Sequence, residues 1–457
     1  MRCAVGIDLG STTTKAVLLD EDGVILGRGI TNSRSNYEVA CAVAREEALS
    51  AARFDLLRRA LVAAVGSDDA AVSSHRAALE DAFRLELYME QLAELGAEIG
   101  SLLGGAHLAA QREALTPAAE RVLAVMAREA PGLFGPGAER RSDFFRDLAS
   151  ASFMRAAEVV AASAGVPFDR LAGLFDRAIL NVETRLRTGD FGATLRRAAA
   201  RVAADTGGDG AAARAALLAL ADDVAAHPID EVAFVGTGYG RQTLPFPKEA
   251  VRSEILCHGR GAHRVYPGTR TVLDIGGQDT KAIQVDEQGV VTGFQMNDRC
   301  AAGCGRYLGY IADELNLGLH ELGPLALQAR KAVRVNSTCT VFAGAELRER
   351  LALGQRREDI LAGLHRSIML RAMSLVARSG GITNEFTFTG GVCKNPMATR
   401  VLGDLVRENY GAGITINTHP DSIYMGALGA ALFALDDARA GRPAILLAFA
   451  ARRAEAA

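Results

Sequence analysis

Three cysteines are the residues whose types and spacing most directly suggest chemistry. Cys300 and Cys304 stand in "NDRCAAGCGRYLG", and Cys339 follows in "NSTCTVF". Both stretches are typical of helix starts, and the positive end of a helix lowers a thiolate pKa. A structural zinc site needs four ligands, and these segments supply three cysteines and no nearby histidine at ligand spacing. Four interpretations stay open: buried structural thiols, a redox switch, a zinc site, or an iron–sulfur cluster completed by a second subunit's thiolates.

A second set of polar residues lies in an internal repeat. The stretch "IDLGSTTTKAVLLDEDGVILG" from Ile7 recurs without a gap as "LDIGGQDTKAIQVDEQGVVTG" from Leu273, at an offset of 266 residues. Self-similarity of this kind indicates a duplicated supersecondary unit. Each copy predicts a strand, a tight glycine turn, a second strand, a four-residue turn and a third strand.

The glycine turns of the repeat predict a phosphate site. Glycine allows successive N–H groups to point into one concavity, and neighbouring hydroxyls add donors. The expected phosphate ligands are, from the first turn, Gly10, Ser11, Thr12, Thr13 and Lys15, and, from the second, Gly276, Gly277, Gln278 and Asp279. Asp8 and Asp274 would repel phosphate, so we expect them to hold Mg²⁺ through water or to orient the attacking water, as the catalytic residues.

A third glycine turn follows the repeat in "FTFTGGVCKNP", which begins at Phe386. A strand leads into two glycines, and a helix is predicted to begin near Asn395 and Pro396, because proline suits the first helical turn. After two phosphate turns, such an element predicts an adenosine loop. Its expected ligands are Gly390, Gly391, Lys394 and Asn395.

Composition narrows the class of protein. The chain has 457 residues, a net charge of −3, 49% hydrophobic residues, 5% aromatic residues and no tryptophan. These values favour alanine-rich helices and predict no nucleic-acid or membrane partner. We find no apolar run of about 18 residues, and we expect no signal peptide. Seven scattered cysteines argue against a disulfide framework, so a cytoplasmic location is expected.

The repeat and the helical patterning divide the chain into three predicted parts. Lobe I comprises 1–40 and 229–268 with the first phosphate loop, and a C-terminal helix over 423–450 is expected to pack on it. A helical insertion spans 41–228, and lobe II spans 269–422 with the second phosphate loop, the cysteines and the adenosine loop. Within the insertion, "TPAAE" predicts a helix capped by Thr116.

This order of elements resembles the two-lobed ATPase fold of actin, hexokinase, acetate kinase and the heat-shock chaperones. The expected fold class is therefore α/β, with duplicated β-hairpin phosphate loops and a large all-helical insertion. The resemblance implies lobes that close on ATP and Mg²⁺ by a hinge motion. Glu254 is expected to face the nucleotide cleft. His258 is interpreted either as a helix histidine with satisfied partners or as a catalytic one, and Lys281 either as a phosphate ligand or as a solvent-facing strand residue.

Six motifs are similar, in sequence and order, to the iron–sulfur ATPase activators of 2-hydroxyacyl-CoA dehydratases and benzoyl-CoA reductases. They are "VGTGYGR", "SEILCHGRGAH", "DIGGQDTK", "QMNDRCAAGCGRYL", "NSTCTVFAGAE" and "TGGVCKN". The resemblance implies that Cys300 and Cys339 bind one [4Fe-4S] cluster across a subunit interface. It leaves Cys304 out of the ligand set, because the activators usually carry threonine there.

The long insertion adds a resemblance to the larger ATP-binding subunit of ATP-dependent benzoyl-CoA reductases. This implies an ATP-hydrolysing subunit that drives electrons from ferredoxin towards the aromatic ring. The implied partners are a shorter paralogous ATPase subunit that shares the cluster, two catalytic iron–sulfur subunits that bind the aromatic CoA thioester, and ferredoxin. Two alternatives remain: a homodimeric activator of a 2-hydroxyacyl-CoA dehydratase, and a small-molecule kinase, which would have no need of the cysteine pair.

Overall fold

The chain divides into two compact units in a computed structural model. The structure describes residues 1–33, 36–65, 70–135, 138, 144–185, 190–205, 211–238, 244–297, 305–331, 333–335 and 340–443. The first unit comprises residues 34–229 together with Met1, and the second comprises 2–33 and 230–457. Most of both predicted lobes lies in the second unit, whereas residues 34–40 of predicted lobe I and the predicted insertion 41–228 lie in the first.

The first unit is helical throughout its described residues, apart from connecting turns. Its helices are α1 (Tyr37–Val65), α2 (Ala70–Gly104), α3 (Arg112–Glu129), α4 (Phe145–Ala164), α5 (Phe168–Glu183), α6 (Phe191–Asp205) and α7 (Ala211–Ala226). Two apolar cores form within it, one from α2 to α5 and one from α1, α2, α6 and α7. The long helix α2 belongs to both cores, so it joins them into one unit.

The second unit contains two mixed sheets built to the same plan. The first has the order β3-β2-β1-β4, from β1 (Arg2–Leu9), β2 (Thr13–Leu19), β3 (Ile25–Asn32) and β4 (Asp230–Gly238). The second has the order β7-β6-β5-β8-β9, from β5 (Thr271–Ile275), β6 (Thr280–Val285), β7 (Val291–Asn297), β8 (Phe386–Thr389) and β9 (Ile416–Thr418). In each sheet the three strands of the sequence repeat pair antiparallel in chain order. A fourth strand, β4 or β8, then pairs in parallel with the first strand of the repeat, β1 or β5.

Seven described helices complete the second unit. They are α8 (Glu254–Val265), α9 (Gly305–Glu314), α10 (Leu319–Ala326), α11 (Thr340–Ala352), α12 (Arg357–Arg378), α13 (Pro396–Tyr410) and α14 (Met425–Arg439). Helix α12 is long and apolar enough by composition to cross a membrane, but 72% of its most apolar stretch of 18 residues is buried within the protein. It packs in the core of the second lobe, where an apolar helix is expected.

Helices α8 and α14 link the two sheets. Ile255 and Ala262 of α8 pack with the second sheet, whereas Cys257 packs with α14 and the first sheet. A β-carbon at Gly429 of α14 would overlap with the carbonyl oxygen of Cys257, so the two helix backbones lie in direct contact. Helix α8 therefore packs against elements of both sheets.

The C-terminal helix is shorter than predicted. Helix α14 packs on the first sheet but ends at Arg439 and does not continue through 440–443. Gly441 adopts a left-handed φ of 65° and donates to the carbonyl of Ala438, which closes the helix end. Pro443 then disfavours a further turn. The remainder of the predicted helix lies outside the described residues.

Candidate nucleotide-binding site

The two phosphate turns predicted from the repeat have the same backbone geometry. The N–H of Gly10 donates to the carbonyl of Thr13 at 3.2 Å, and the N–H of Gly276 donates to that of Asp279 at 3.0 Å. These pairs are equivalent in the repeat. In both sheets the catalytic aspartate candidate lies opposite the repeat lysine in the strand register. The sequence repeat is therefore a repeat in three dimensions.

The duplication extends to a fourth strand that the sequence repeat did not predict. Asp8 lies opposite Thr237 of β4, and Asp274 lies opposite Thr389 of β8. Each threonine is followed by a glycine with positive φ, 131° at Gly238 and 87° at Gly390. In the sequence these threonines stand in the similar triplets "GTG" and "FTG". The two triplets are not 266 residues apart, because the long insertion precedes the fourth strand of the first copy.

The two phosphate turns lie against each other within the second unit. A β-carbon at Gly277 would overlap with the hydroxyl oxygen of Thr12 and would lie 3.2 Å from that of Ser11. Glycine at this position is thus required by the opposite turn. The hydroxyls expected to bind phosphate and the backbone of the second turn consequently surround one small region, as the prediction of a two-sided phosphate site requires.

Asp274 is buried in a set of cationic and hydrogen-bonding partners. Its Oδ1 accepts from the Thr389 hydroxyl at 2.8 Å and lies 3.2 Å from Nδ1 of His258, and its Oδ2 lies 3.7 Å from Nζ of Lys281. Burial alone would raise the pKa of Asp274, but His258, Lys281 and Thr389 together hold that pKa well below its ordinary value. Asp274 is therefore a fixed carboxylate.

The two lysines of the repeat differ in their surroundings. Lys281 is 1% exposed, and its Nζ lies 2.9 Å from Glu254 Oε1 and 2.9 Å from Asp279 Oδ2. Burial opposes its charge, yet the three carboxylates around it raise its pKa. The interpretation of Lys281 as a solvent-facing residue is wrong, because its side chain is enclosed by these acidic partners. Lys15, in contrast, forms an ion pair with Asp8 Oδ2 at the longer distance of 3.5 Å.

Glu254 and His258 come to the site from the first turns of α8. The two side chains are one turn apart, with 3.8 Å between Glu254 Oε1 and His258 Nε2. Burial raises the pKa of Glu254 despite the nearby Lys281. For His258, burial opposes the charged form, but Asp274 raises its pKa. The expectation that Glu254 faces the cleft agrees with this position, and His258 lies between the aspartates of the two lobes.

Asp8, Glu254 and His258 form a group that could hold a cation. One potential ligand atom from each lies within 4.8 Å of the others. Oδ1 of Asp8 is buried without a hydrogen-bond partner among the described residues. A β-carbon at Gly426 would lie 2.8 Å from both Asp8 Oδ2 and His258 Nε2, so glycine leaves space between them. The two carboxylates fit Mg²⁺, which prefers oxygen ligands, whereas imidazole suits it less.

The predicted adenosine loop lies beside the second phosphate turn. A β-carbon at Gly390 would overlap with the carbonyl of Ile275 and lie 3.0 Å from Asp274 Oδ1. Gly391 begins a 3₁₀ turn that ends at Lys394, and Gly391 and Lys394 are exposed. The loop glycine is thus packed directly against the strand that carries Asp274.

Asn395 uses both polar side-chain atoms within the fold. Its Oδ1 accepts from the N–H groups of Met397 and Ala398, each at 3.0 Å, and caps α13, which begins where predicted. Its Nδ2 lies 3.0 Å from Nε2 of buried His365, whose Nδ1 lies 2.7 Å from the carbonyl of Leu361. Nδ1 therefore carries the proton. Any contribution of Asn395 to nucleotide binding would come from positioning the loop.

The buried His365 makes stability depend on pH. Burial lowers its pKa to about 4, against an unfolded value of about 6.5. The unfolded chain then binds a proton that the folded chain does not, so this contribution is complete above pH 6.5 and is lost as pH falls towards 4. At pH 5 the loss is about 2 kcal/mol relative to pH 7. Denaturation of wild type and His365→Gln at both pH values should show a smaller acid loss in the variant; equal losses would contradict the assignment.

The cysteines predicted to bind a cluster, Cys300 and Cys339, lie outside the described residues, as does Cys304. Four other cysteines, Cys3, Cys41, Cys257 and Cys393, are buried, in agreement with their interpretation as core thiols. Burial raises the pKa of Cys257 to about 12, which makes it a poor ligand donor.

Two lobes with duplicated strand–turn–strand units, whose glycine turns lie against each other, define the two-lobed ATPase fold of the actin and hexokinase type. Comparison with known families agrees with this class. A sequence model of the BadF/BadG/BcrA/BcrD ATPase family matches residues 5–434. The chain belongs to this family.

Individual relatives include activators and a component of a reductase. The (R)-2-hydroxyglutaryl-CoA dehydratase activating ATPase of Acidaminococcus fermentans is 43% identical over 206 residues, covering 45% of this chain and 76% of that protein. One of the subunits of the benzoyl-CoA reductase of Thauera aromatica is 35% identical over 208 residues, covering 46% and 72%. The crystal structure of component A of the A. fermentans (R)-2-hydroxyglutaryl-CoA dehydratase has a TM-score of 0.49 at 23% identity, covering 96% of this chain and 100% of that chain.

Proposed function

We propose that this chain is an ATP-hydrolysing electron-activation subunit that acts with an enzyme of acyl-CoA metabolism in the cytoplasm. The observation that carries the proposal is the pair of glycine turns that lie against each other beside buried carboxylates. The chain is also a member of this ATPase family, and its sequence contains "NDRC" and "STCT". ATP hydrolysis alone would need only the first of these features. The cysteine pair is what distinguishes the proposed function from that of a kinase.

The residues around the phosphate turns support distinct roles in hydrolysis. Ser11 and Thr12 would donate hydroxyls to the phosphates, together with the backbone of Gly277. Asp8 would hold the metal ion or the attacking water through its unpartnered Oδ1, and Glu254 lies close enough to assist. The metal ion would supply positive charge to the phosphate oxygens when bound. Asp274 would act through its fixed position, since its oxygens already face Thr389, His258 and Lys281.

The cysteine pair supports a second role in electron transfer. We propose that Cys300 and Cys339 supply two of the four thiolates of a [4Fe-4S] cluster and that a paralogous subunit supplies the others. Such a cluster carries one electron at a low potential that depends on charge, hydrogen bonding and exposure. Lobe closure on nucleotide would change the surroundings of both cysteine segments, which links hydrolysis to electron delivery.

The acceptor that we propose is a benzoyl-CoA reductase. The large helical unit supports this choice, since it offers surface for docking to additional subunits. The partners would be a shorter ATPase subunit, two catalytic iron–sulfur subunits that bind the aromatic thioester, and ferredoxin. A homodimeric activator of a 2-hydroxyacyl-CoA dehydratase is the second candidate. It is favoured by sequence identity, since the dehydratase activating ATPase is 43% identical to this chain over the matched residues and the reductase subunit is 35% identical.

An assay with both classes of acceptor tests this choice. The protein, purified without oxygen together with any chain that copurifies, is mixed with MgATP and a reduced ferredoxin. Dearomatisation of benzoyl-CoA by the reductase subunits is the expected result. Activation of a 2-hydroxyacyl-CoA dehydratase by the chain alone, without a paralogue, would overturn the reductase proposal and support the second candidate.

The ligand assignment makes a separate prediction. Cys300→Ser is expected to lose the cluster, seen as loss of iron and of visible absorbance, while nucleotide binding persists, because the phosphate turns do not contain this residue. Cys304→Ser is the matched control four residues away and should retain the iron. Iron retained in Cys300→Ser, or lost equally in both variants, would show that the assignment is wrong.

A further inference from the structure

A buried histidine of the second lobe has no part in the hydrolysis proposed above. His365 lies in α12 and is 0% exposed. Its Nδ1 lies 2.7 Å from the carbonyl oxygen of Leu361, one turn earlier in the same helix, and its Nε2 lies 3.0 Å from Nδ2 of Asn395. The second contact joins α12 to the end of the predicted adenosine loop.

The direction of each hydrogen bond of His365 follows from its surroundings. The Leu361 carbonyl can only accept, so Nδ1 carries the proton and Nε2 presents a lone pair. Oδ1 of Asn395 is occupied by the N–H groups of Met397 and Ala398, so the amide cannot turn over without losing the cap of α13. Nδ2 of Asn395 is therefore the atom that donates to His365.

Helix α10 encloses the same amide from another direction. A β-carbon at Gly323 would lie 2.6 Å from Oδ1 of Asn395 and 2.7 Å from Cδ of Pro396. A larger side chain at position 323 would therefore displace Asn395. Three helices, α10, α12 and α13, thus fix the position of this one side chain.

The rest of the adenosine loop is bonded to Asn395. The N–H of Asn395 donates to the carbonyl of Val392 at 3.0 Å. Val392 and Cys393 are buried, whereas Gly391 and Lys394 on either side of them are exposed. A ligand can therefore reach Gly391 and Lys394, and the buried end of the loop determines where these two residues lie.

We propose that His365 is a positioning residue for the nucleoside part of the bound nucleotide, an inference that rests on the proposed nucleotide site. Because His365 is fully buried, it touches no ligand and acts through Asn395. Without its hydrogen bond the loop occupies further conformations, and the apparent affinity falls with the fraction of molecules in which the loop is in place. The phosphate turns contain neither residue, so affinity for phosphate groups alone does not depend on His365.

Two substitutions at position 365 test the role of the acceptor. His365→Leu is apolar and offers no acceptor to Asn395, whereas His365→Gln has a side-chain oxygen that can take the place of Nε2. For His365→Leu we expect the Kd for MgATP to rise by about 3- to 10-fold, the effect of one hydrogen bond. His365→Gln should restore most of the affinity.

Inorganic tripolyphosphate with Mg²⁺ is the probe that separates this role from a general loss of folding. It carries the phosphate chain of ATP but no nucleoside, so its Kd should be unchanged in His365→Leu. Partial unfolding would raise the Kd of both ligands by the same factor. An equal rise for both ligands, or an unchanged Kd for MgATP, would overturn the proposal.

A double-mutant cycle tests whether His365 acts through Asn395. Asn395→Ser keeps an oxygen that can cap α13 but removes the donor to His365. We expect this variant alone to weaken MgATP binding and not tripolyphosphate binding, which gives the same comparison if His365→Leu does not fold. His365→Leu should have little further effect in its background. Effects that multiply fully in the double variant would overturn the proposal.

These measurements need neither iron nor an acceptor enzyme. An iron-free protein would contradict the proposed electron transfer, and the two Kd values would still decide the role of His365. Wild-type protein that binds MgATP no more tightly than tripolyphosphate would overturn this inference, because the loop would then add nothing to the affinity.

Discussion

Lys281→Met is expected to destabilise the protein by roughly 3–5 kcal/mol, the usual effect of removing one partner from a buried ion pair. Lys281 faces Glu254, Asp279 and Asp274, and all four side chains are at most 13% exposed. Methionine fills a similar volume but leaves three carboxylates without their shared cation. Chemical denaturation followed by circular dichroism measures the loss, through the transition of the second unit.

The repeat supplies a matched control for this prediction. Lys15 occupies the equivalent position in the first copy, where it pairs with Asp8 at 3.5 Å. Lys15→Met should therefore destabilise the protein less than Lys281→Met, and it should weaken ATP binding, because we propose this lysine as a phosphate ligand. Adding Glu254→Gln to Lys281→Met should recover part of the lost stability by removing one buried charge. Equal destabilisation by the two lysine variants would contradict these roles.

Asp8→Asn is expected to slow ATP hydrolysis by about two to three orders of magnitude, the range for loss of one preorganised electrostatic group. Asparagine has the same shape, and Oδ1 of Asp8 has no hydrogen-bond partner to lose among the described residues. Stability should fall less than in Lys281→Met, because Asp8 pairs only with Lys15, at 3.5 Å, and the Kd for ATP should change only a few-fold, since the phosphate turns are intact. Steady-state phosphate release and equilibrium nucleotide binding distinguish the two effects.

Asp274→Asn is the comparison for Asp8→Asn. Asp274 accepts from Thr389 and faces His258 and Lys281, so its neutralisation should reduce stability as well as hydrolysis. A normal hydrolysis rate in Asp8→Asn would remove Asp8 from the metal or water site. A loss of stability in Asp8→Asn as large as that in Asp274→Asn would show that the two carboxylates have the same structural role.

The sequence repeat predicted much of the fold that surrounds the nucleotide. Because glycine turns and alternating strands are local features, the strand order around both turns followed from two short stretches. The partners of Lys281 did not follow, since Glu254 reaches it from a helix and only packing of α8 on the second sheet brings them together. For the same reason the candidate metal-binding group of Asp8, Glu254 and His258 could not be found from spacing.

Local cap signals gave one correct and one wrong helix start. Asn395 caps α13, with Pro396 at the first position. The prediction of Thr116 as a cap is wrong, because α3 begins at Arg112 and contains Pro117. Buried Leu115 and Ala118 on that helix contribute to the core, and this packing outweighs the hydrogen bond that proline removes. Packing in the core, and not the local cap pattern, therefore determines where α3 begins.

We propose above all that one chain combines an ATPase site with half of an intersubunit cluster. The direct measurement is electron paramagnetic resonance of the protein purified without oxygen with its paralogue and reduced with dithionite, before and after MgATP. We predict the signal of a reduced [4Fe-4S] cluster that changes when MgATP is added. A colourless, iron-free protein that hydrolyses ATP under the same conditions would contradict this proposal.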